Sequence, residues 1–62
     1  MTDADTIKAA LVAADTPEAV EAVAAQYRDD VRAMARSDSQ HDRTMAVQII
    51  NLKEWVLRRI GE

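Results

Sequence analysis

The stretch TMAVQIINLKEWVLRRI, residues 44–60, decides the fold of this 62-residue chain, because it is the densest run of large apolar side chains. Its apolar residues recur at spacings of three and four, which places them on one face of an α-helix. At about 100° per residue the apolar arc spans about 160°, whereas an ordinary core-facing helix has an arc of roughly 100°. We therefore expect this helix to need more than one neighbour. The stripe is Met45, Ile49, Leu52, Val56 and Ile60, and it is widened by Ala46, Ile50 and Leu57.

The ends of this helix are marked by capping signals. Ser39-Gln40-His41-Asp42 is a variant of the capping box, in which the first hydroxyl accepts a hydrogen bond from the helix start. Arg58 and Arg59 lie in the last turn, where positive charge suits the helix dipole. Gly61 follows and predicts a left-handed C-terminal cap.

The composition predicts an all-α fold, because the chain is rich in alanine and contains one glycine, one proline and no cysteine. Thr16-Pro17 marks a helix start, and a short polar turn precedes Ser39. We predict a single helical domain over residues 1–62 with three helices at about 4–14, 17–36 and 39–60. The last two would form a long antiparallel hairpin, and the short N-terminal helix, capped by Asp3 or Asp5, would cover one end of it.

The charge is unevenly distributed: the first half is acidic, the second half is mildly basic, and the formal net charge is −3. An acidic total argues against direct nucleic-acid binding, which usually needs a basic stripe. It favours a protein partner that has a basic surface. The N-terminal residues lack the basic character of a secretory signal and no apolar run reaches the roughly 20 residues of a membrane span, so we expect a cytoplasmic protein. The acidic residues expected to contact the partner are Asp15, Glu18, Glu21, Asp29 and Asp30.

Trp55 lies away from the apolar stripe and allows two interpretations. It is either a half-buried residue at the edge of the core with Arg59, one turn later, over its ring, or an exposed interface residue flanked by arginine. In the second case Trp55 joins the partner-binding surface.

The sequence gives no sign of catalysis, a cofactor or a metal site. His41 is the single histidine, and with Asp38 and Asp42 it falls short of the four ligands typical of zinc. Ser37 and Ser39 are explained as turn and cap residues, and a Gly-rich phosphate loop is absent. We therefore expect a protein that is not an enzyme and that lacks room for a closed pocket.

The extra width of the last helix favours a homodimer, because a small core without disulfides often relies on association. The dimer interface would consist of Ala46, Ile50 and Leu57. The alternative is a monomer in which the first helix covers the whole arc.

Residues 44–60, together with Asp15-Thr16-Pro17-Glu18-Ala19, resemble small prophage accessory proteins. That resemblance implies an inhibitor or adaptor, and anti-CRISPR proteins are similar in size and acidity. The function expected from the sequence is a non-catalytic protein-binding module, a phage-type inhibitor whose acidic face occupies a basic, nucleic-acid-binding surface of its target. The alternatives are a small dimeric DNA-binding regulator that uses the basic C-terminal half, and a purely structural assembly subunit.

Overall fold

The computed structural model describes residues 3–61, which form four α-helices and no strand. They are α1 (Ala4–Ala13), α2 (Pro17–Gln26), α3 (Arg28–Ala35) and α4 (Gln40–Ile60). The all-helical class is confirmed, but the prediction of three helices is wrong. The segment 17–36, expected to be one long helix, is divided into α2 and α3.

The division between α2 and α3 falls at Tyr27, whose φ of −106° and ψ of 12° lie in the bridge region. Hydrogen bonds of the helical type continue on both sides, since the Tyr27 N–H donates to Val23 O at 3.1 Å and Val31 N–H donates to Tyr27 O at 2.9 Å. The bend coincides with a change of neighbours: α1 packs against α2 and α4 but does not contact α3, as far as the described residues show. The two halves of the segment therefore have different neighbours, and the bend lets each half follow its own.

Side chains cap three helix starts, as the sequence predicted. Thr16 Oγ1 accepts a hydrogen bond from Ala19 N at 3.1 Å, and Ser39 Oγ accepts one from Asp42 N at 3.4 Å. Asp3, of the two aspartates considered, caps α1 and accepts 2.8 Å hydrogen bonds from both the backbone N–H and the hydroxyl of Thr6. These hydrogen bonds, the backbone one first, lower the pKa of Asp3 below the ordinary value for an aspartate.

The C-terminal cap of α4 differs from the prediction. Gly61 has φ −74° and ψ −8°, which is right-handed helical backbone, and its N–H donates to Leu57 O at 3.1 Å. Gly61 therefore continues the last turn and does not reverse it, and the left-handed cap was wrong.

The core lies where α1, α2 and α4 meet. Ile7, Leu11 and Val20 are at most 1% exposed, and Ile49 and Val56 of α4 are 4% exposed. Residues of α3, including Val31 and Met34, are half-buried against this cluster. α1 thus packs on the core through Ile7 and Leu11, which lie one turn apart. A helix this short is unstable alone in water, so it needs such packing.

The turn between α3 and α4, residues 36–39, is held by side-chain hydrogen bonds. Ser37 Oγ donates to Asp42 Oδ2 at 2.9 Å and accepts from Ser39 N at 3.1 Å. Arg43 Nη1 donates to the Ser37 carbonyl oxygen at 2.7 Å. These contacts fix the start of α4 relative to α3, and they make Ser37 and Ser39 turn and cap residues.

Candidate functional site

Trp55 lies on the outer face of α4 and is 49% exposed. The Arg59 guanidinium carbon is 5.3 Å from the centroid of the indole ring, the cation–π contact that the half-buried interpretation of Trp55 predicted. Asn51 and Gln48, one turn and two turns earlier on the same side, are also exposed. The result is a half-exposed aromatic side chain with polar neighbours. This is a composition common at the centres of protein interfaces.

The structure does not bring the five predicted acidic residues together in one environment. Asp15 and Glu18 are exposed near the start of α2, whereas Asp29 and Asp30 lie beyond the bend on α3. Glu21 forms an ion pair with Lys53, since its Oε1 is 3.7 Å from Lys53 Nζ. Asp30 is half-buried. Of the five, the exposed carboxylates for which the described residues provide no ion pair are Asp15, Glu18 and Asp29.

A groove of about 240 Å³ opens between α2, α3 and α4, and sequence reasoning missed it. Its apolar floor includes Ile7, Leu11 and Ile49, and the Glu21–Lys53 pair lies at its edge. Tyr27, at the bend, also lines it. Since the helical periodicity of the segment 17–36 is continuous through the bend, the sequence carried no signal for this groove.

The residues assigned to a dimer interface have different exposures. Ile50 is 49% exposed, Leu57 is half-buried against the core and Ala46 is only 1% exposed. Within a single chain Ala46 is therefore already buried, and the assignment of these three residues to a dimer interface stays a prediction. Val47, three residues before Ile50, is 57% exposed and was not assigned. The sequence feature that could have indicated an exposed Val47 is its position just outside the apolar stripe.

Several cations of the basic second half already have partners. Arg43 donates to Ser37 O and Gln40 Oε1, Lys53 pairs with Glu21, and Arg59 lies over Trp55. Only the Lys53–Glu21 contact sets a cation against an anion; Arg43 and Arg59 contact neutral groups and keep their full charge. Among the cations of the basic half, Lys53 is thus the one that has an ion pair within the described residues.

His41 is exposed in the first turn of α4. Between residues 3 and 61, the structure forms no cluster of three or more His, Cys, Asp or Glu side chains that could hold a metal ion.

Comparison of the chain with known protein families, with curated proteins and with solved structures finds no match. The resemblance to prophage accessory proteins and to anti-CRISPR proteins therefore stays a prediction from the sequence. None of the helices in the described part of the chain has the length and apolar content needed to cross a membrane.

Proposed function

We propose that this chain is a non-catalytic protein-binding module whose partner presents a basic surface. The observation that carries the proposal is Trp55, half-exposed on the outer face of α4 and held by Arg59 at 5.3 Å. Tryptophan and arginine are among the residues most enriched at interface hot spots, and a side chain already held in place loses less conformational entropy on binding.

The charge of the partner is inferred from the exposed carboxylates. Asp15, Glu18 and Asp29 are exposed, and the formal net charge of the chain is −3. Complementary charge speeds the encounter with a basic surface and selects against acidic ones. A basic surface that otherwise holds nucleic acid is the specific target that this acidity favours. Binding there would make the chain an inhibitor, in agreement with the function expected from the sequence.

The test is capture of partners from a native lysate on the immobilised chain, followed by calorimetry with each captured protein. The variant Glu18→Lys/Asp29→Lys reverses two exposed carboxylates on α2 and α3. Its matched control is Asp5→Lys/Asp38→Lys, which makes the same change in net charge at two exposed positions outside the predicted acidic set. We expect the first variant to weaken capture of a basic partner about tenfold or more, and the control to leave it nearly unchanged.

A separate variant tests the aromatic contact. Trp55→Ala should weaken binding of the same partner, while far-ultraviolet circular dichroism stays unchanged because Trp55 lies outside the buried core. Equal capture by the two charge variants would contradict the acidic contact. Binding that survives Trp55→Ala undiminished would contradict the hot spot, and failure to capture any protein would contradict the function as a whole.

A further inference from the structure

A second surface of α4 carries a pattern that is complementary to itself. Arg43, Val47, Ile50 and Glu54 follow one another at spacings of four, three and four. At about 100° per residue they fall within an arc of about 60°, and we call them the self-complementary stripe. Val47 is 57% exposed and Ile50 is 49% exposed, so both apolar members face solvent in a single chain. The order is cation, apolar, apolar, anion, and the spacings are symmetric about the point between Val47 and Ile50.

We propose that this stripe binds a second copy of the chain, with the two α4 helices antiparallel about a two-fold axis between Val47 and Ile50. In that arrangement Val47 of each copy faces Ile50 of the other, and Arg43 of each copy faces Glu54 of the other. A two-fold interface makes every such contact twice, which is the usual form of a homodimer. Parallel pairing would instead place Arg43 against Arg43 and Glu54 against Glu54, and like charges oppose it.

The charged ends of the stripe suit this role. Arg43 is fixed by hydrogen bonds from Nη1 to Ser37 O at 2.7 Å and from Nη2 to Gln40 Oε1 at 3.0 Å. A guanidinium has five N–H donors, so others remain for a carboxylate. Glu54 is exposed, and the described part of the chain offers it no ion pair. One partner of each intermolecular pair is therefore already held in place, which reduces the entropy lost on association.

The size of the stripe limits the affinity. From Arg43 to Glu54 it is about 16 Å long, at about 1.5 Å per residue. Each copy contributes two large exposed apolar side chains, and the accessible surface of the chain is 4379 Å². A standard stable interface uses about 800 Å² of each partner, close to a fifth of that surface, and the stripe alone offers less. We therefore expect a reversible dimer with a dissociation constant in the range of about 10 µM to 1 mM.

This surface is distinct from the one around Trp55. The centre of the stripe lies about 110° around α4 from Trp55, at about 100° per residue. A dimer formed through the stripe leaves the indole ring accessible, so the dimer does not depend on the proposed partner. Failure of either proposal leaves the other intact.

The first experiment is analytical ultracentrifugation from about 10 µM to about 1 mM protein. The average mass of the wild-type chain should rise towards that of two chains. Ile50→Glu, which places a charge in the centre of the stripe, should weaken association at least tenfold. Its matched control is Val12→Glu, because Val12 is 61% exposed on α1 and lies outside the stripe. A single-chain mass at every concentration overturns the proposal, and so does an equal effect of the two substitutions.

The second experiment exchanges the charges between two chains. Glu54→Arg alone and Arg43→Glu alone each put like charges together in a homodimer and should weaken self-association. In an equimolar mixture of the two variants, the retained Arg43 of one chain faces the retained Glu54 of the other. The two substituted side chains face each other as well, and their charges are also opposite. The mixture should therefore associate about as well as the wild type.

Circular dichroism of each variant alone verifies folding, which matters most for Arg43→Glu because it loses hydrogen bonds to Ser37 in the turn and to Gln40 at the start of α4. A mixture that associates no better than its components overturns the charge pairing. The antiparallel orientation is overturned if the mixture associates more than about tenfold more tightly than the wild type. Only a parallel wild-type dimer would have like charges facing each other, and only there would the mixture replace them with opposite charges.

Discussion

Thr16 shows, at the scale of one residue, how a side chain fixes the start of a helix. Its hydroxyl oxygen accepts a hydrogen bond from Ala19 N at 3.1 Å, and Pro17 occupies the first helical position, where its missing N–H costs nothing. Thr16→Ala should lower the free energy of unfolding by about 1 kcal/mol and the Tm by about 4–8 °C. Thermal unfolding followed by circular dichroism measures both. The loss is large for a domain of this size, whose total stability is about 3–9 kcal/mol.

Thr44 supplies the matched control for this prediction. It is exposed within α4, and its hydroxyl accepts only a long 3.4 Å hydrogen bond from Gln40 Nε2. Alanine is a better helix former than threonine, so Thr44→Ala should leave the Tm unchanged or raise it slightly. If both substitutions lowered the Tm equally, the effect would come from the loss of threonine in general and the capping role of Thr16 would be refuted.

At the scale of the element, α1 depends on two buried side chains. Ile7 and Leu11 are each 1% exposed, whereas Val12, the next residue, is 61% exposed. Leu11→Ala should lower the free energy of unfolding by about 2–5 kcal/mol, because it removes buried methyl groups and leaves a cavity. Val12→Ala should change it by less than about 0.5 kcal/mol. Urea denaturation compares the two, and similar losses for both would contradict the docking of α1 through one face.

Element boundaries illustrate what the sequence reveals and what it hides. Asp3, Thr16 and Ser39 cap their helices through local hydrogen bonds, and local residue types predicted all three. The bend at Tyr27 has no proline or glycine to announce it, and the apolar stripe is continuous through it. It falls where the neighbours change, since α1 contacts α2 and α4 but not α3 within the described residues, a relation that the sequence does not display. Helical periodicity therefore predicted where helices form but not where a helix would change direction.

The surface of α4 also has one feature that the sequence predicted and one that it did not. The wide apolar arc correctly indicated several neighbours, since α1, α2 and α3 all pack against α4. Which residues stay exposed could not be read from the arc. Ala46 and Ile50 are one turn apart, yet Ala46 is 1% exposed and Ile50 is 49% exposed. The difference depends on where the other helices lie and on side-chain length, and only the assembled fold shows both.

At the scale of the whole molecule, the distribution of charge opposes binding to nucleic acid. The formal net charge is −3, and three cations of the basic half already contact Ser37, Glu21 or Trp55. Affinity for DNA depends on cations that release counterions from phosphates, and a chain of net negative charge is repelled by the duplex, so we expect weak binding. The DNA-binding alternative depends on the arginines of the basic half, and exposed acidic side chains such as Asp29 lie nearby in sequence. These arginines are Arg32, Arg36, Arg43, Arg58 and Arg59.

A gel-shift titration tests this prediction. With a duplex of about 20 base pairs at about 0.15 M salt, we expect no complex up to about 100 µM protein. Glu18→Lys/Asp29→Lys verifies the assay: each substitution adds two charges, which takes the net charge from −3 to +1, so weak, salt-sensitive binding should appear. A wild-type complex at low micromolar concentration would refute the prediction if its affinity fell steeply with salt. For contacts to phosphates, the logarithm of the binding constant falls with the logarithm of the salt concentration by a slope of about −0.9 for each phosphate contacted. Loss of that complex on Arg58→Ala would then assign the contact to the C-terminal end of α4, the region that the DNA-binding alternative requires.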